Sequence, residues 1–449
     1  MKKFLSVCVL IAAHAAFAFS QPVAVPGAAL AEQLYWLRTN AASNTHYLIE
    51  IRGNEEIASR ILTLPRNRGN VSVTLRGSGL AQAISLYGTG SLFTVTSGLT
   101  LILDNITLQG SSENNTNLIQ VNNGAALIMK AGSVISANTG GAVLIHSGGT
   151  FTMYGGAILD NTGSAGGEGR HAIRGGLGGT GAVTNWGAFT MHDGVISNNA
   201  GGPGGDLEGA RGGAGAVSNW RTFTMHGGTI SGNSGGSGEI AGSGAVFNAG
   251  VFAMYGGTIS GNSGGSGSAN FWGIRGGIGG VNNSGEFILH DGEISGNSGG
   301  AGGNNGWGGV GAVSNTGRFT MNGGTISGNS GGSGSANSPW DGWGSVGAVF
   351  NAGAFTMHGG TIANNAGGIA NWSVRHGTTS YGIFRITGGT IYGTDAAADL
   401  GNSGGTLRIF GVATTAQFGT FNNVGLFVSS GILANTDNTI HVAGGLLRE

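Results

Sequence analysis

Residues 215–233 read GAVSNWRTFTMHGGTISGN, and the same pattern recurs five more times without insertion or deletion. The other copies begin at Gly181, Gly244, Gly279, Gly311 and Gly347. Within a copy, runs such as VSN, FTM and TIS alternate apolar and polar residues, which is the periodicity of strands and not of helices. Each run meets glycine or asparagine within three to five residues, which is too short for a stable helix. The pattern therefore predicts three short strands per copy.

The copies are separated by glycine-rich connectors of variable length, from 12 residues at 234–245 to 19 residues at 330–348. A constant module joined by variable connectors is typical of a solenoid in which each copy is one packed rung. Strands paired in parallel with the rungs above and below make a parallel β-helix. The valine, phenylalanine, methionine and isoleucine of each copy are expected to point inward and stack about 4.8 Å apart. The predicted fold class is therefore all-β.

Two asparagines in each copy are expected to form hydrogen-bonded columns, because an amide at a turn can bond its equivalents above and below. The first column comprises Asn185, Asn219, Asn248, Asn283, Asn315 and Asn351. The second column comprises Asn199, Asn233, Asn262, Asn297, Asn329 and Asn365. We interpret both columns as structural ladders and not as catalytic groups.

Composition narrows the function classes. Glycine provides 96 of the 449 residues, charged residues make up only 9%, and the formal net charge is −1. Since no basic run is present, the electrostatic footprint of a nucleic-acid-binding protein is missing. The single cysteine, Cys8, lies in the N-terminal segment, so no disulfide or thiolate metal site is predicted. We predict no cofactor and no metal.

The N-terminal segment predicts export. Residues 1–18 combine Lys2 and Lys3, an apolar run, and the A-x-A cleavage pattern at 16–18, which is typical of a secretory signal peptide. The expected location is therefore secreted or at the cell surface of a bacterium, with no transmembrane segment in the mature chain. An N-terminal cap with a helix is expected over 19–45, because residues 28–40 have helical apolar spacing.

The remaining chain divides by the quality of its repeats. Irregular opening rungs are predicted over 46–126, the repeat β-helix with its glycine-rich connectors over 127–405, and closing rungs with a C-terminal cap over 406–449. Terminal rungs need such caps because they would otherwise expose a core and a strand edge.

Two short motifs resemble those of a known group of proteins. Residues 319–322 (FTMN) match F-x-x-N, residues 155–158 read GGAI, and most other copies read GGTI. This pattern resembles the repeats of the chlamydial polymorphic outer membrane proteins and of spirochaete surface repeat proteins, over about residues 95–400. The resemblance implies a right-handed, single-stranded, pectin-lyase-like parallel β-helix. It also implies surface display, often with adhesion.

Several motifs that suggest catalysis have structural interpretations. The stretch SGNSGGSG at 231–238 is one letter from the GDSGG of serine proteases, but it recurs once per rung, whereas a nucleophilic serine is singular. The column formed by His192, His226, His290 and His358 is interpreted as a surface stack, since zinc needs three or four ligands around one point.

Two alternative functions remain open. A polysaccharide lyase or hydrolase is the first, although glycosidase chemistry needs two carboxyl groups about 5–9.5 Å apart. Asp193 and Asp291 lie three rungs apart, roughly 14 Å at the usual strand spacing. Ice binding is a remote alternative, suggested by the outward threonine and serine of the TIS runs.

The connectors carry the predicted ligand site. The tryptophans placed in them are Trp272, Trp307, Trp340 and Trp343. Loops on a rigid scaffold often carry function, and aromatic side chains suit sugars and partner proteins. These tryptophans either pack beneath the loops or bind a ligand, whereas Trp186 and Trp220 are expected to pack under the connectors. The prediction is a non-enzymatic, adhesin-like surface protein that binds a glycan, or a protein of a host or neighbouring surface.

Overall fold

The computed structural model describes residues 21–79, 82–167, 176–205, 209–267, 275–304, 306–334, 346–374, 380–381 and 383–392, followed by the strand segments given below from residue 400 onward. Side chains are described up to residue 391, apart from those of 372–382. The predicted signal peptide at 1–18 lies outside the described residues, and so do Trp272, Trp340 and Trp343.

The chain winds into a right-handed parallel β-helix, which confirms the predicted fold class. Each turn contributes one strand to each of three long sheets, and the neighbouring strands in a sheet come from successive turns. All pairs along the three sheets are parallel; an antiparallel pair joins only the short strand Ser380–Tyr381 to the third sheet among the described strands. This winding stacks every copy of the repeat directly on the previous one.

The first sheet contains the F-x-M runs. Its strands are Val23–Ala24, His46–Ile51, Val71–Gly77, Leu99–Asp104, Ala126–Met129, Thr150–Met153, Ala188–Met191, Thr222–Met225, Val251–Met254, Glu286–Leu289, Arg318–Met321, Ala354–Met357, Ile383–Ile386, Thr406–Ile409, Leu426–Ser429 and Leu446–Arg448.

The second sheet contains the T-I-S runs. Its strands are Glu55–Ala58, Ala83–Tyr87, Thr107–Gln109, Val134–Ser136, Ala157–Leu159, Val195–Ser197, Thr229–Ser231, Thr258–Ser260, Glu293–Ser295, Thr325–Ser327, Thr361–Ala363 and Thr390–Tyr392.

The third sheet contains the V-x-N runs. Its strands are Arg60–Leu62, Phe93–Val95, Ile119–Val121, Val143–Ile145, Val183–Asn185, Val217–Asn219, Val246–Asn248, Val281–Asn283, Val313–Asn315, Val349–Asn351, Ile369–Val374, Leu400–Ser403, Phe421–Asn423 and Ile440–Val442. A separate pair joins Ala416–Phe418 to Leu433–Asn435.

The register of the sheets places identical side chains on top of one another. Phe189 pairs with Phe223, and Phe223 pairs with Phe252, so a column of buried phenylalanines runs from Phe151 to Phe384. Successive rings in this column lie 4.4–5.0 Å apart and within 12° of parallel. The column fills the core, because each ring covers the face of the next one.

The turn between the first and second sheets depends on glycine for its conformation. In the six regular copies one glycine of this turn has a φ of +80° to +107°. A side chain rarely adopts this left-handed region, so glycine is required there. The residues are Gly194, Gly228, Gly257, Gly292, Gly324 and Gly360.

The helix Leu30–Asn40 packs at the N-terminal end of the β-helix, where the sequence predicts a helical cap. Leu30, Leu34 and Leu37 share one helix face and are buried in the core. The ring of Trp36 lies edge-on to that of Tyr47, with centroids 5.8 Å apart. No helix in the described part of the chain is long and apolar enough to span a membrane.

Candidate functional site

The connectors form an ordered layer that stands out from the corner between the second and third sheets. We call this layer the glycine fin. Within the described residues, a connector contributes an outgoing arm, such as residues 201–205, and a return arm, such as residues 211–214. Equivalent arms of successive connectors are bridged in parallel, as between Leu177, Arg211 and Ile240. The described arms of the connectors are therefore stacked on one another and are not independent loops.

Hydrogen bonds in the glycine fin repeat every third residue. The N–H groups of Gly201 and Gly204 donate to carbonyls of the next outgoing arm, at 2.8 and 2.7 Å. Those of Gly202 and Gly205 donate to carbonyls of the preceding return arm, at 2.8 and 3.1 Å. A period of three is that of the polyproline II helix, which makes no hydrogen bonds within one chain. The arms are therefore held by hydrogen bonds to neighbouring arms of the same chain.

Glycine is needed in the fin for space and not for conformation. A Cβ atom added to Gly213 would lie 1.8 Å from the carbonyl oxygen of Gly179, and one on Gly236 would lie 1.9 Å from that of Gly202. The backbone of these glycines is outside the left-handed region. The arms that have a neighbour on each side thus pack backbone against backbone, at a separation that excludes a side chain at positions such as Gly213 and Gly236.

Every third residue of each outgoing arm points to solvent and not to a neighbouring arm. The residues there are small, uncharged and exposed: Ala165, Pro203, Ser237, Ser266, Ala301 and Ser333. Proline is compatible with this direction because its missing N–H would have donated to no neighbouring arm. This explains why the connectors open with G-G-x-G at 201–204, 235–238, 264–267, 299–302 and 331–334, with x on the outer face; the first of the six opens with G-S-A-G at 163–166.

The inner face of the fin presents larger side chains. Leu177, Arg211, Ile240 and Arg275 occupy one bridged column on the return arms. In the next return arm the carbonyl of Trp307 accepts a hydrogen bond from Gly276, at 2.8 Å. This column faces the outer surface of the third sheet.

A groove of about 650 Å³ lies between the inner face of the fin and the third sheet. Leu177, Arg211 and Ile240 line it from the fin, and Ser218, Phe247 and Asn282 line it from the sheet. Trp220 and Ser243 also line the groove. A volume in this range is typical of ligand sites.

Trp220 forms the aromatic end of this groove. Its ring stacks on that of Trp186, with centroids 4.6 Å apart and an interplanar angle of 7°. Towards the next rung the stack is broken, because Phe247 is tilted by 57° at 5.2 Å. Trp186 and Trp220 remain 44% and 37% exposed, so the prediction that they pack under the connectors is wrong.

Ser243 lines the groove, and its buried hydroxyl has no partner among the described residues. The residue is only 2% exposed, and its Oγ makes no hydrogen bond to any described residue. Two rungs earlier in the same column, Thr180 Oγ1 donates to Ser218 Oγ at 2.7 Å. Most buried hydroxyls have such a partner, so Ser243 is an exception that calls for an explanation.

The predicted connector tryptophans are only partly placed. Trp307 is described and half-buried, whereas Trp272, Trp340 and Trp343 lie outside the described residues. The guanidinium carbon of Arg275 lies 4.2 Å from the centroid of the Trp307 ring, which is a cation–π contact. One face of this ring is therefore covered by a side chain of the protein itself.

The predicted asparagines lie in two continuous hydrogen-bonded chains inside the β-helix. From Asn185 to Asn371, each Nδ2 donates to the Oδ1 of the next asparagine at 2.7 or 2.8 Å. From Asn161 to Asn365 the same bond measures 2.8–3.0 Å. In this second chain the same Oδ1 also accepts the backbone N–H of the previous asparagine.

The histidine column lies on the corner between the first and second sheets, away from the groove. Tyr154, His192, His226, Tyr255 and His290 stack there, with ring centroids 4.3–5.2 Å apart. Within the residues that the structure describes, no three His, Cys, Asp or Glu side chains are grouped so that they could hold a metal ion.

The two aspartates of this corner act within their own turns. The carboxylate of Asp193 accepts the N–H of Gly194 at 2.7 Å, and that of Asp291 accepts the N–H of Gly292 at 2.8 Å. Each bond supports a turn whose glycine has positive φ. Both carboxylates therefore accept a hydrogen bond within their own turn.

No protein-family model, curated protein or solved structure matches this chain. The resemblance to chlamydial and spirochaete repeat proteins is therefore confirmed only as far as the parallel β-helix that it implies.

Proposed function

We propose that the chain is an exported, non-enzymatic surface protein that binds an adhesion ligand on its connector side, in the groove between the glycine fin and the third sheet. The observation that carries this proposal is the groove itself, an apolar cleft with a few convergent polar side chains on a rigid solenoid. Concave sites of this composition are the usual form of ligand sites in proteins.

The stacking of the rungs favours an elongated ligand. The groove is lined by return arms and strands of successive turns, from Leu177 to Asn282. Rungs are about 4.8 Å apart, so these positions extend along the β-helix axis for more than 10 Å. Backbone hydrogen bonds hold both walls, so little ordering is needed on binding.

Trp220→Ala is expected to weaken ligand binding by more than tenfold, because truncation of a buried aromatic contact at a binding site typically has an effect of this size. A ligand is first found by screening the purified chain against arrays of glycans and of host and matrix proteins. Its dissociation constant is then measured for the wild type and the variant by biolayer interferometry.

The matched control is Tyr255→Ala. Tyr255 is also an exposed, stacked aromatic residue, but it lies in the histidine column at another corner. Its truncation should leave the dissociation constant unchanged. Equal losses in the two variants, or none in either, would contradict a ligand site in the groove.

A further inference from the structure

We infer that the groove binds a neutral sugar, with one pyranose ring beside Trp220 and Phe247 and its hydroxyls bonded by Ser243, Asn282 and Arg211. This inference rests on the proposed function, since it names the ligand class of the same groove. It places the site at the base of the fin and not on the connector tryptophans that the sequence singled out.

The aromatic wall suits the apolar face of a sugar ring. One face of Trp220 is covered by Trp186, but the tilt of Phe247 means that no parallel ring covers the other. Both Trp220 and Phe247 line the groove. A pyranose presents C–H groups on one face and hydroxyls at its rim, so it requires an apolar surface with polar groups beside it.

Ser243 and Asn282 supply the polar groups. They occupy the positions that Thr180 and Ser218 occupy two rungs earlier, since Ser218, Phe247 and Asn282 share one column of the third sheet. Thr180 and Ser218 bond each other, but Ser243 Oγ has no partner among the described residues. A ligand hydroxyl in the groove would satisfy it. A buried hydroxyl left unpaired in the free protein is explained if its partner is the ligand.

The backbone of the groove argues for a sugar over an extended peptide. A peptide that adds to a sheet needs a free strand edge, but Val217–Asn219 and Val246–Asn248 are interior strands with neighbours on both sides. The N–H groups of Gly212 and Gly213 on the fin are also used, in bonds of 3.0 and 2.9 Å to other arms. These two N–H groups are therefore already used and do not offer a peptide its backbone partners.

The charge at the groove favours a neutral sugar over an acidic one. Arg211 lines the groove, and Glu239 lies at the tip of the next return arm beside Ile240, where it accepts the N–H of Gly209. Among the described residues beside Ile240, this guanidinium and this carboxylate are of opposite sign, while the guanidinium of Arg275 in the same column is held against the Trp307 ring. Arginine, glutamate, asparagine and serine together offer both donors and acceptors, as sugar hydroxyls require.

The test uses a panel of neutral tri- and tetrasaccharides of glucose, galactose, mannose or N-acetylglucosamine, with uronic-acid oligosaccharides beside them. Binding to the purified chain is measured by isothermal titration calorimetry. We expect a neutral member to bind, and Ser243→Ala to weaken it about tenfold through loss of one hydrogen bond. The unfolding midpoint of this variant should stay the same or rise, because an unpartnered buried hydroxyl is removed.

Ser133→Ala is the matched control. Ser133 is fully buried and its Oγ is likewise without a partner in the described structure, but it does not line the groove. It should leave affinity unchanged. Equal affinity of the Ser243 and Ser133 variants would overturn the inference, and so would a preference for uronic acids. A protein ligand lost in Trp220→Ala, with no sugar bound, would also overturn it while leaving the proposed function intact. If no ligand binds in the groove, both the sugar inference and the proposed function are contradicted.

Discussion

Asn262→Asp is expected to lower the free energy of unfolding by about 3–5 kcal/mol at neutral pH, the range for a buried charge without a partner. Asn262 is fully buried, and its Nδ2 donates to Asn297 Oδ1 at 2.9 Å and to the carbonyls of Ile230 and Ser260 at 2.9 and 3.1 Å. A carboxylate has the same shape but no donor. All three contacts would then set oxygen against oxygen.

The loss in free energy of unfolding caused by Asn262→Asp should depend on pH. Burial and the facing oxygens raise the pKa of the new carboxyl above its usual value of about 3.9. A raised pKa in the folded state means that the neutral form is favoured there, so stability is retained below pH 4 and lost as the pH rises. Urea unfolding at several pH values from 4 to 7 measures this trend.

Asn322→Asp provides the control for the pH series. Asn322 is exposed on the histidine corner, where its side chain contacts His290 Nδ1 at 3.2 Å. The same chemical change there should alter stability by less than about 1 kcal/mol. A deficit at Asn262 that is no larger than this, or that does not grow with pH, would show that the ladder contributes little.

The core of the β-helix was predictable because its information is local and repeated. One strand of three residues carries little signal, but six copies in a fixed register, each with Phe223 or its equivalent, exclude a helix and require stacking. The helix Leu30–Asn40 was predictable for the same reason, since Leu30, Leu34 and Leu37 repeat at helical spacing. In both cases the apolar pattern along the chain determines which side faces inward.

The glycine fin was not predictable from such a pattern. A single arm has no side chains to bury, so its conformation depends on neighbouring arms that lie more than 20 residues away in sequence, such as Gly179 for Gly202. One signal was present: the non-glycine residue of G-G-x-G stands in the same place in successive connectors, as at Pro203, Ser237 and Ser266. It becomes interpretable only once the period of three is known.

The position of the groove was missed for a related reason. Trp220 directly follows the asparagine of its rung, and the sequence favours burial beneath a loop. The return arms bond to other arms, and the residues that precede the strands of the third sheet are small, such as Ala214 and Ser243, which line the groove. A space therefore remains between the two layers, and its existence depends on the shape of the whole fin.

Gly236→Ala should open the fin locally, at a cost of about 3 kcal/mol, which is near the upper end for overpacking. The added Cβ would lie 1.9 Å from the carbonyl oxygen of Gly202 and 2.9 Å from the nitrogen of Gly213, and both are backbone atoms that cannot rotate away. Hydrogen exchange at the amides of Gly236 and Gly242 should accelerate about 100-fold, because these bonds join the displaced arms.

Two neighbouring changes separate this steric effect from a general loss of glycine. Ser237→Ala alters the next residue, which points to solvent. Gly167→Ala adds a methyl group where a Cβ meets no atom within 4 Å. Neither variant should change hydrogen exchange in the fin.

The amide of Phe252 should also stay protected in Gly236→Ala, because it lies within the first sheet and not in the fin. If Phe252 loses protection together with the fin, the fin is a part of the folding unit of the β-helix. If Gly236→Ala changes exchange neither in the fin nor at Phe252, the close packing of backbone on backbone is not what holds the arms together.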